Sequence, residues 1–414
     1  MFIHFLLAML PIIWLIIALS GLKMAGHVAC PIALIITVIE ALFLWKQKII
    51  DVLTGGLEGF AMAIWPICLV IVAAVFTYNL VVHTKNMELI KKMLTSVSRD
   101  KRVLVLIIAW GFGGFMEGMA GFGTAVAIPA GILCGLGFEP IFAATVCLVA
   151  NTTPVAFGSI GIPTVTAANV TGFSPHMTAS YVVLQLAIMV ILVPFLVVFI
   201  TGKHEGAKGI GDYKEILFIT LMSGLSFLVP QYLTAKFVGA ELCVVVGSVC
   251  SLLCTILFGS KVKPNPEYEM KLEAAEKITV KKALTAWSPF IFIFIFLLST
   301  SKLVAPVNTF LSQFASSATI YTGENPSTMT FTWINTPGVW IFLSAILGGL
   351  IQKATFRDFK VVFIATIKQM SQTIITMLCV LGCAKIMGYA GMIASIASFA
   401  IAVTGSFYPF FAPW

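Results

Sequence analysis

Apolar residues run in unbroken stretches, as in Ile64–Phe76 and Pro289–Leu298, with polar residues gathered between them. A membrane barrel would instead alternate apolar and polar positions over segments of about ten residues. A helix needs about 20 predominantly apolar residues to cross a bilayer. Hydropathy on that scale predicts spans near 2–19, 28–45, 60–82, 176–201, 214–231, 238–258, 288–304, 338–352, 361–381 and 389–404. The less regular stretch 103–172 adds more, for about 11–12 transmembrane helices in all. The predicted class is an all-α polytopic membrane protein.

Composition agrees with the pattern. Of 414 residues 59% are apolar and 10% charged, where soluble domains carry about 25% charged residues. The formal charge of +8 does not point to nucleic acid, because the basic residues cluster between apolar runs. Lys85, Lys91, Lys92, Arg99, Lys101 and Arg102 share one connector, and six more lysines lie in Lys261–Lys282. Under the positive-inside rule the 83–102, 202–213 and 259–287 connectors are cytoplasmic and the N-terminus is outside. The charge-poor 305–337 connector then falls outside, and Glu267–Lys282 is predicted as a short polar helix on the cytoplasmic face. Phe2–Leu19 lacks the basic flank of a signal peptide, since the first lysine is Lys23, so it is expected to be the first span. The nine cysteines include no Cys-x-x-Cys pair. They suit small buried positions, and no disulfide framework, metal site or cofactor is implied.

Residues 111–172 break the rules for a simple span. Gly111, Gly113, Gly114, Gly118, Gly121, Gly123, Gly131, Gly135 and Gly137 crowd together, followed by Asn151-Thr152-Thr153-Pro154, Gly158, Gly161 and Pro163. Irregular backbone at membrane depth survives only where protein or a water-filled cavity satisfies it, and interrupted segments of this kind point to a transporter binding site. Unwinding around Gly121-Phe122-Gly123 would let a helix resume at Thr124. Asn151 and Thr152 suit an N-cap, with Pro154 in the first helical turn. Two helix N-termini would then face a small anion such as a carboxylate. Gly121, Phe122, Gly123, Thr124, Asn151, Thr152, Thr153 and Ser159 are the candidate substrate-binding residues. The Gly114/Gly118 and Gly131/Gly135 spacings also fit close helix packing.

Glu117 lies within this stretch. An intramembrane acid costs roughly 2.5–3.5 kcal/mol on insertion scales and is a functional candidate by default, here as proton carrier. Lys385, beside Gly382 and Gly388-Tyr389-Ala390-Gly391, either meets a substrate carboxylate or snorkels to an interface. Glu40, Glu58, Glu241, Lys302 and Lys368 are expected at span ends, and His176 at a surface loop.

The segments Phe115-Met116-Glu117-Gly118-Met119-Ala120-Gly121-Phe122-Gly123-Thr124 and Asn151-Thr152-Thr153-Pro154-Val155-Ala156-Phe157-Gly158 resemble the bacterial L-lactate permease family. The likeness continues through Leu80–Arg102, Gly239-Ala240-Glu241-Leu242, Ala286-Trp287-Ser288-Pro289 and Gly405-Ser406-Phe407-Tyr408-Pro409. The resemblance implies proton-coupled import of lactate, and often glycolate, by an inverted-repeat transporter in the bacterial plasma membrane. On that reading residues 1–201 form the first repeat, with broken segments at 111–138 and 151–163. Residues 202–287 connect it to a second repeat, 288–414. Two departures stand out. Leu184 precedes Gln185 where the family commonly has an arginine. The family also continues past the Phe-Tyr-Pro-Phe segment into a second broken element, so the second repeat is expected to be incomplete. A sodium-coupled carboxylate carrier and a non-transporting fragment are the alternatives. An intramembrane enzyme lacks support, since no His-Glu-x-x-His or Gly-x-Ser-x-Gly occurs.

Overall fold

The computed structural model describes residues 2–119, 121, 124–207, 209–260, 268–270, 279–301, 304–324 and 326–405. Among the described residues seven helices are long and apolar enough to cross a membrane, or up to nine if each bent pair is one span. The chain is therefore all-α and polytopic. The predicted 28–45, 176–201 and 288–304 spans correspond to Gly26–Phe43, Pro175–His204 and Val280–Thr300. The first predicted span is a bent pair, Phe2–Ala8 and Leu10–Gly21, at 48°. The 60–82 span starts earlier than predicted, within a helical stretch Ile49–His83 that is broken at Trp65, whose φ and ψ are −127° and 117°. Most of the predicted Glu267–Lys282 helix, and Lys302, lie outside the described residues.

The chain divides into two compact units. The first comprises Met1–Val72, Ser312–Thr336 and Ile364–Trp414; the second comprises Ala73–Leu311 and Pro337–Phe363. In the first unit the Ile49–Met62 helix approaches the Phe356–Tyr389 helix so closely that a Cβ at Gly59 would sit 2.5 Å from the Leu381 carbonyl oxygen and 2.6 Å from Gly382 Cα. The 305–337 connector is more ordered than its composition suggests. Ala315–Thr319 pairs antiparallel with Thr328–Thr332, Ala315 opposite Thr332. The alternating threonines of Thr328–Thr332 suit a pleated strand, and Trp65 Nε1 donates to the Thr332 carbonyl at 3.2 Å.

Small and hydroxylated residues pack the second unit. Lipid tails are as apolar as leucine, so close backbone approach and interhelical hydrogen bonds hold such helices together. Ser223, Ser251 and Thr255 bond across Lys214–Phe237 and Cys243–Gly259, and Trp110 Nε1 donates to Ser251 Oγ at 3.2 Å. Gly114 and Gly118 do lie in tight contacts, with Cβ positions 3.0 Å from Phe227 and 2.9 Å from Val245. Gly131 and Gly135 meet nothing within 4 Å among the described residues, so their spacing marks no helix contact there. A Cβ at Gly348 would lie 2.5 Å from Pro289 Cα and 2.6 Å from its nitrogen. Gly348→Val therefore has to part Pro337–Ile351 from Val280–Thr300, and overpacking of this kind costs about 1–3 kcal/mol. The expected result is a lower melting temperature in detergent; an unchanged one would mean the helices part freely.

The three connectors assigned to one side by their lysines meet in this unit. Arg102 and Asp100 are both fully buried and pair at 2.7 Å. Arg102 also donates to the Asp212 carbonyl at 2.6 Å and lies 3.9 Å from the centroid of the Tyr268 ring. Lys101 pairs with Glu205, and the Met270 N–H donates to the Arg99 carbonyl at 2.8 Å.

Candidate functional site

The helix Gly113–Met119 ends at the glycine-rich break, and Thr124–Gly135 begins after it. Gly121 takes φ +60°, a left-handed conformation favoured by glycine, and its N–H donates to the Met116 carbonyl at 3.1 Å. Phe122, Gly123 and the side chain of Thr124 lie outside the described residues.

The second broken segment differs from its predicted form. Asn151 ends the Pro140–Ala150 helix as its C-cap instead of opening a new one. Pro154–Phe157 is a four-residue 3-10 turn whose N-cap, Thr153, makes no side-chain cap bond. Ser159, Ile160 and Gly161 then all take positive φ, at 45°, 58° and 73°. Three left-handed residues in succession interrupt any right-handed helix begun at Pro154. Regular helix resumes only beyond Gly161, so that Pro163, not Pro154, occupies its first turn. Ile160 is β-branched, and such a residue in this conformation is a genuine outlier of the kind that gathers at functional sites. Gly161 is wedged in place: a Cβ there would lie 2.5 Å from the Ala240 carbonyl oxygen.

These two breaks surround Glu117. Its side chain is buried, 4% exposed, and its carboxyl is hydrogen-bonded by the Asn151 side chain. A Cβ at Gly158 would fall on Glu117 Oε1, and one at Gly121 would fall on Ser159 Oγ. Both glycines are thus required by close approach. The structure brings Glu117, Asn151 and Gly158 together, and Gly121 with the buried Ser159. Asn151 Oδ1 and Thr153 Oγ1 are buried with no hydrogen-bond partner among the described residues. Such orphaned polar atoms are expensive unless something fills them.

Thr152 does not join them. It is exposed, and its hydroxyl turns back to donate to the Val149 carbonyl at 2.8 Å. Lys385 belongs to the other unit and donates to Glu58 Oε1 at 2.7 Å. Glu58 itself corrects the sequence reading. It is fully buried, on a helix that begins at Ile49, where an interfacial position near a span end is expected from the sequence. Glu40 is likewise buried, and neither of its carboxyl oxygens has a partner among the described residues. His176 is half-buried near the start of Pro175–His204. The local signal for Glu58 was the cluster Gly55, Gly56 and Gly59 around it, which admits a close neighbour.

Gly158→Ala tests how finely the Glu117 pocket is built. The new methyl meets the far end of a flexible side chain, so the helices stay in place and the carboxyl is pushed off Asn151. We expect transport to fall at least about tenfold with little change in melting temperature. Retained transport would mean that the position of Glu117 is not critical.

The L-lactate permease family model matches residues 4–414. The L-lactate permease of Streptococcus iniae is 44% identical over 408 residues, which is 99% of this chain and 84% of that protein. The L-lactate permease of Escherichia coli (strain K12) is 33% identical over 442 residues, covering 99% and 78%. The glycolate permease GlcA of the same strain is 33% identical over 445 residues, with the same coverage. No solved structure matches the chain significantly.

Proposed function

The chain belongs to the L-lactate permease family, and from that premise we propose that it carries a small 2-hydroxymonocarboxylate inward across the bacterial plasma membrane with a proton. L-lactate is the first candidate, with glycolate and D-lactate as further cargo. No bond is made or broken in this process; the protein acts as a carrier and not as an enzyme.

The observation that carries the reading is that Asn151 holds the Glu117 carboxyl while polar atoms of the same broken segment are left unpaired among the described residues. Asn151 spends its amide on Glu117 and leaves Oδ1 unpaired, and Thr153 leaves its hydroxyl unpaired. A 2-hydroxymonocarboxylate offers one hydroxyl donor and one anionic acceptor. Its hydroxyl would donate to Asn151 Oδ1, and the Thr153 hydroxyl would donate to its carboxylate. Glu117 would hold the accompanying proton, so that no net charge is added to a low-dielectric site. Ser159, on its left-handed turn, supports the same pocket through Gly121.

The test is uptake of radiolabelled L-lactate by cells expressing the chain, with and without a protonophore, and with sodium replaced by choline. The expected result is uptake that the protonophore abolishes and choline leaves intact. Uptake that needs sodium and ignores the protonophore would overturn the proton-coupled reading in favour of a sodium-coupled carrier.

A further inference from the structure

Within the first unit a second ionisable cluster lies apart from Glu117 in sequence and in role. Glu58 Oε1 accepts from Lys385 Nζ at 2.7 Å, from the Tyr389 hydroxyl at 2.7 Å and from the Ser327 hydroxyl at 2.8 Å. The other carboxyl oxygen, Oε2, is buried with no partner among the described residues. The Glu58 side chain is 1% exposed, but that of Lys385 is 30% exposed, so the cation can be approached while the anion cannot. Tyr321 stacks on Tyr389 with ring centroids 3.6 Å apart. The hairpin that carries Ser327 and Tyr321 is further tied down by Thr322, which bonds Asp51 and Thr54.

A buried pair that served only packing would be expected to satisfy both carboxyl oxygens, because an unsatisfied buried acceptor offsets much of what the pair contributes. Here three donors converge on a single oxygen, and one of them is an ammonium reachable from outside. Three convergent donors, one of them cationic, are also what a free carboxylate would need. A second anion cannot join the pair as it stands, since the site would then hold one net negative charge in a poorly solvated place. If a proton arrives on Glu58 at the same time, the arithmetic closes. Glu58 becomes neutral, the ammonium keeps its charge, and the incoming carboxylate replaces the one it lost.

We propose that Glu58, Lys385 and Tyr389 form a carboxylate-exchange site, in which the cargo's carboxylate displaces Glu58 from Lys385 and Tyr389 as Glu58 takes up a proton from water. The site is neutral before and after the exchange. Ser327 loses its anionic acceptor at that moment, which loosens the hairpin over the site. Tyr321 on the hairpin interacts with Glu58, with Asp51 on the Glu58 helix and with Glu324, and Glu40 lies on the Gly26–Phe43 helix that packs on the Glu58 helix. None of these is a second cation, so among the described residues Lys385 supplies the positive charge paired with Glu58. The inference rests on the transport reading, and it deepens it by naming a second carboxylate subsite; Glu58 returns its proton to water when the carboxylate leaves it, so the proton carried across is the one on Glu117.

The experiment measures KM and maximal rate for exchange of radiolabelled L-lactate between about pH 6 and about pH 8, at matched membrane abundance. In the wild-type protein KM should rise with pH, because ionised Glu58 competes for Lys385. In Glu58→Gln that competition is absent, and the rise should be shallower by up to about tenfold per pH unit, the signature of one linked proton. Tyr389→Phe keeps the ion pair and removes one donor, so it serves if Glu58→Gln fails to reach the membrane. Its KM should rise about tenfold with the maximal rate little changed. Lys385→Arg should retain a pH-dependent KM, whereas Lys385→Met should lose saturable exchange. An unchanged KM in Tyr389→Phe, or a wild-type pH profile in Glu58→Gln, would overturn the exchange site and leave a structural ion pair. Wild-type protein that reaches the membrane and exchanges no L-lactate would instead sink the transport reading on which the site depends.

Discussion

Glu117→Gln is expected to abolish uphill accumulation of L-lactate while leaving exchange of internal for external L-lactate. The substitution is nearly isosteric, and the Gln carbonyl oxygen can still accept from the Asn151 amide that now bonds the carboxyl. Gly158 leaves room for either side chain. What the variant cannot do is bind and release a proton. A carrier coupled to one proton can hold a concentration ratio of about tenfold for each unit of pH difference, equivalent to about 1.4 kcal/mol. An uncoupled carrier relaxes to a ratio of about one, whatever the gradient. The measurement is the steady-state ratio in vesicles with an imposed pH gradient, alongside counterflow in the same preparation. Accumulation equal to that of the wild type would remove Glu117 from the coupling.

Arg102→Met is expected to be the most destabilising single change in the second unit. Arg102 and Asp100 are both 0% exposed. Asp100 caps the Lys101–Val105 helix by accepting from the Arg102 N–H at 2.9 Å, and it also accepts from the guanidinium at 3.1 and 2.7 Å. Removing the guanidinium strands a buried carboxylate, leaves the Asp212 carbonyl without that donor and strips the cation from the Tyr268 ring. Breaking one partner of a buried pair costs about 3–5 kcal/mol. Melting in detergent should fall by several degrees, and Asp100→Asn in the same chain should recover part of the loss. A melting temperature within about 2 °C of the wild type would mean that water reaches the pair.

Hydropathy located most of the long membrane-length helices, because a bilayer-spanning helix needs a long run of apolar residues, but it left the helices within 103–172 undivided. It was less sure of ends: the residues between the predicted 28–45 and 60–82 spans belonged to no predicted helix, yet Ile49–Met62 is helical and holds Glu58 in a buried position. The break at Gly121 and the helix resuming at Thr124 were legible from glycine alone. The form of the second break was not. Asn and Pro side by side suit a helix start, but the left-handed turn at Ser159, Ile160 and Gly161 is imposed by packing on Gly121 and Ala240, which no local pattern encodes. Pairings distant in sequence escaped for the same reason. Glu58 and Lys385 lie 327 positions apart, and only their flanking glycines hinted that each has a close neighbour. Asn151 was singled out as a helix cap, and its contact with Glu117 depends on how two broken helices meet.

The central claim is that a proton travels with the cargo, and the most direct test reads the proton itself. Purified protein in weakly buffered liposomes would be given external L-lactate while external pH is recorded. The account predicts immediate alkalinisation of the medium that tracks labelled L-lactate entry about one for one and disappears in Glu117→Gln. Entry of L-lactate with no change in external pH would contradict it.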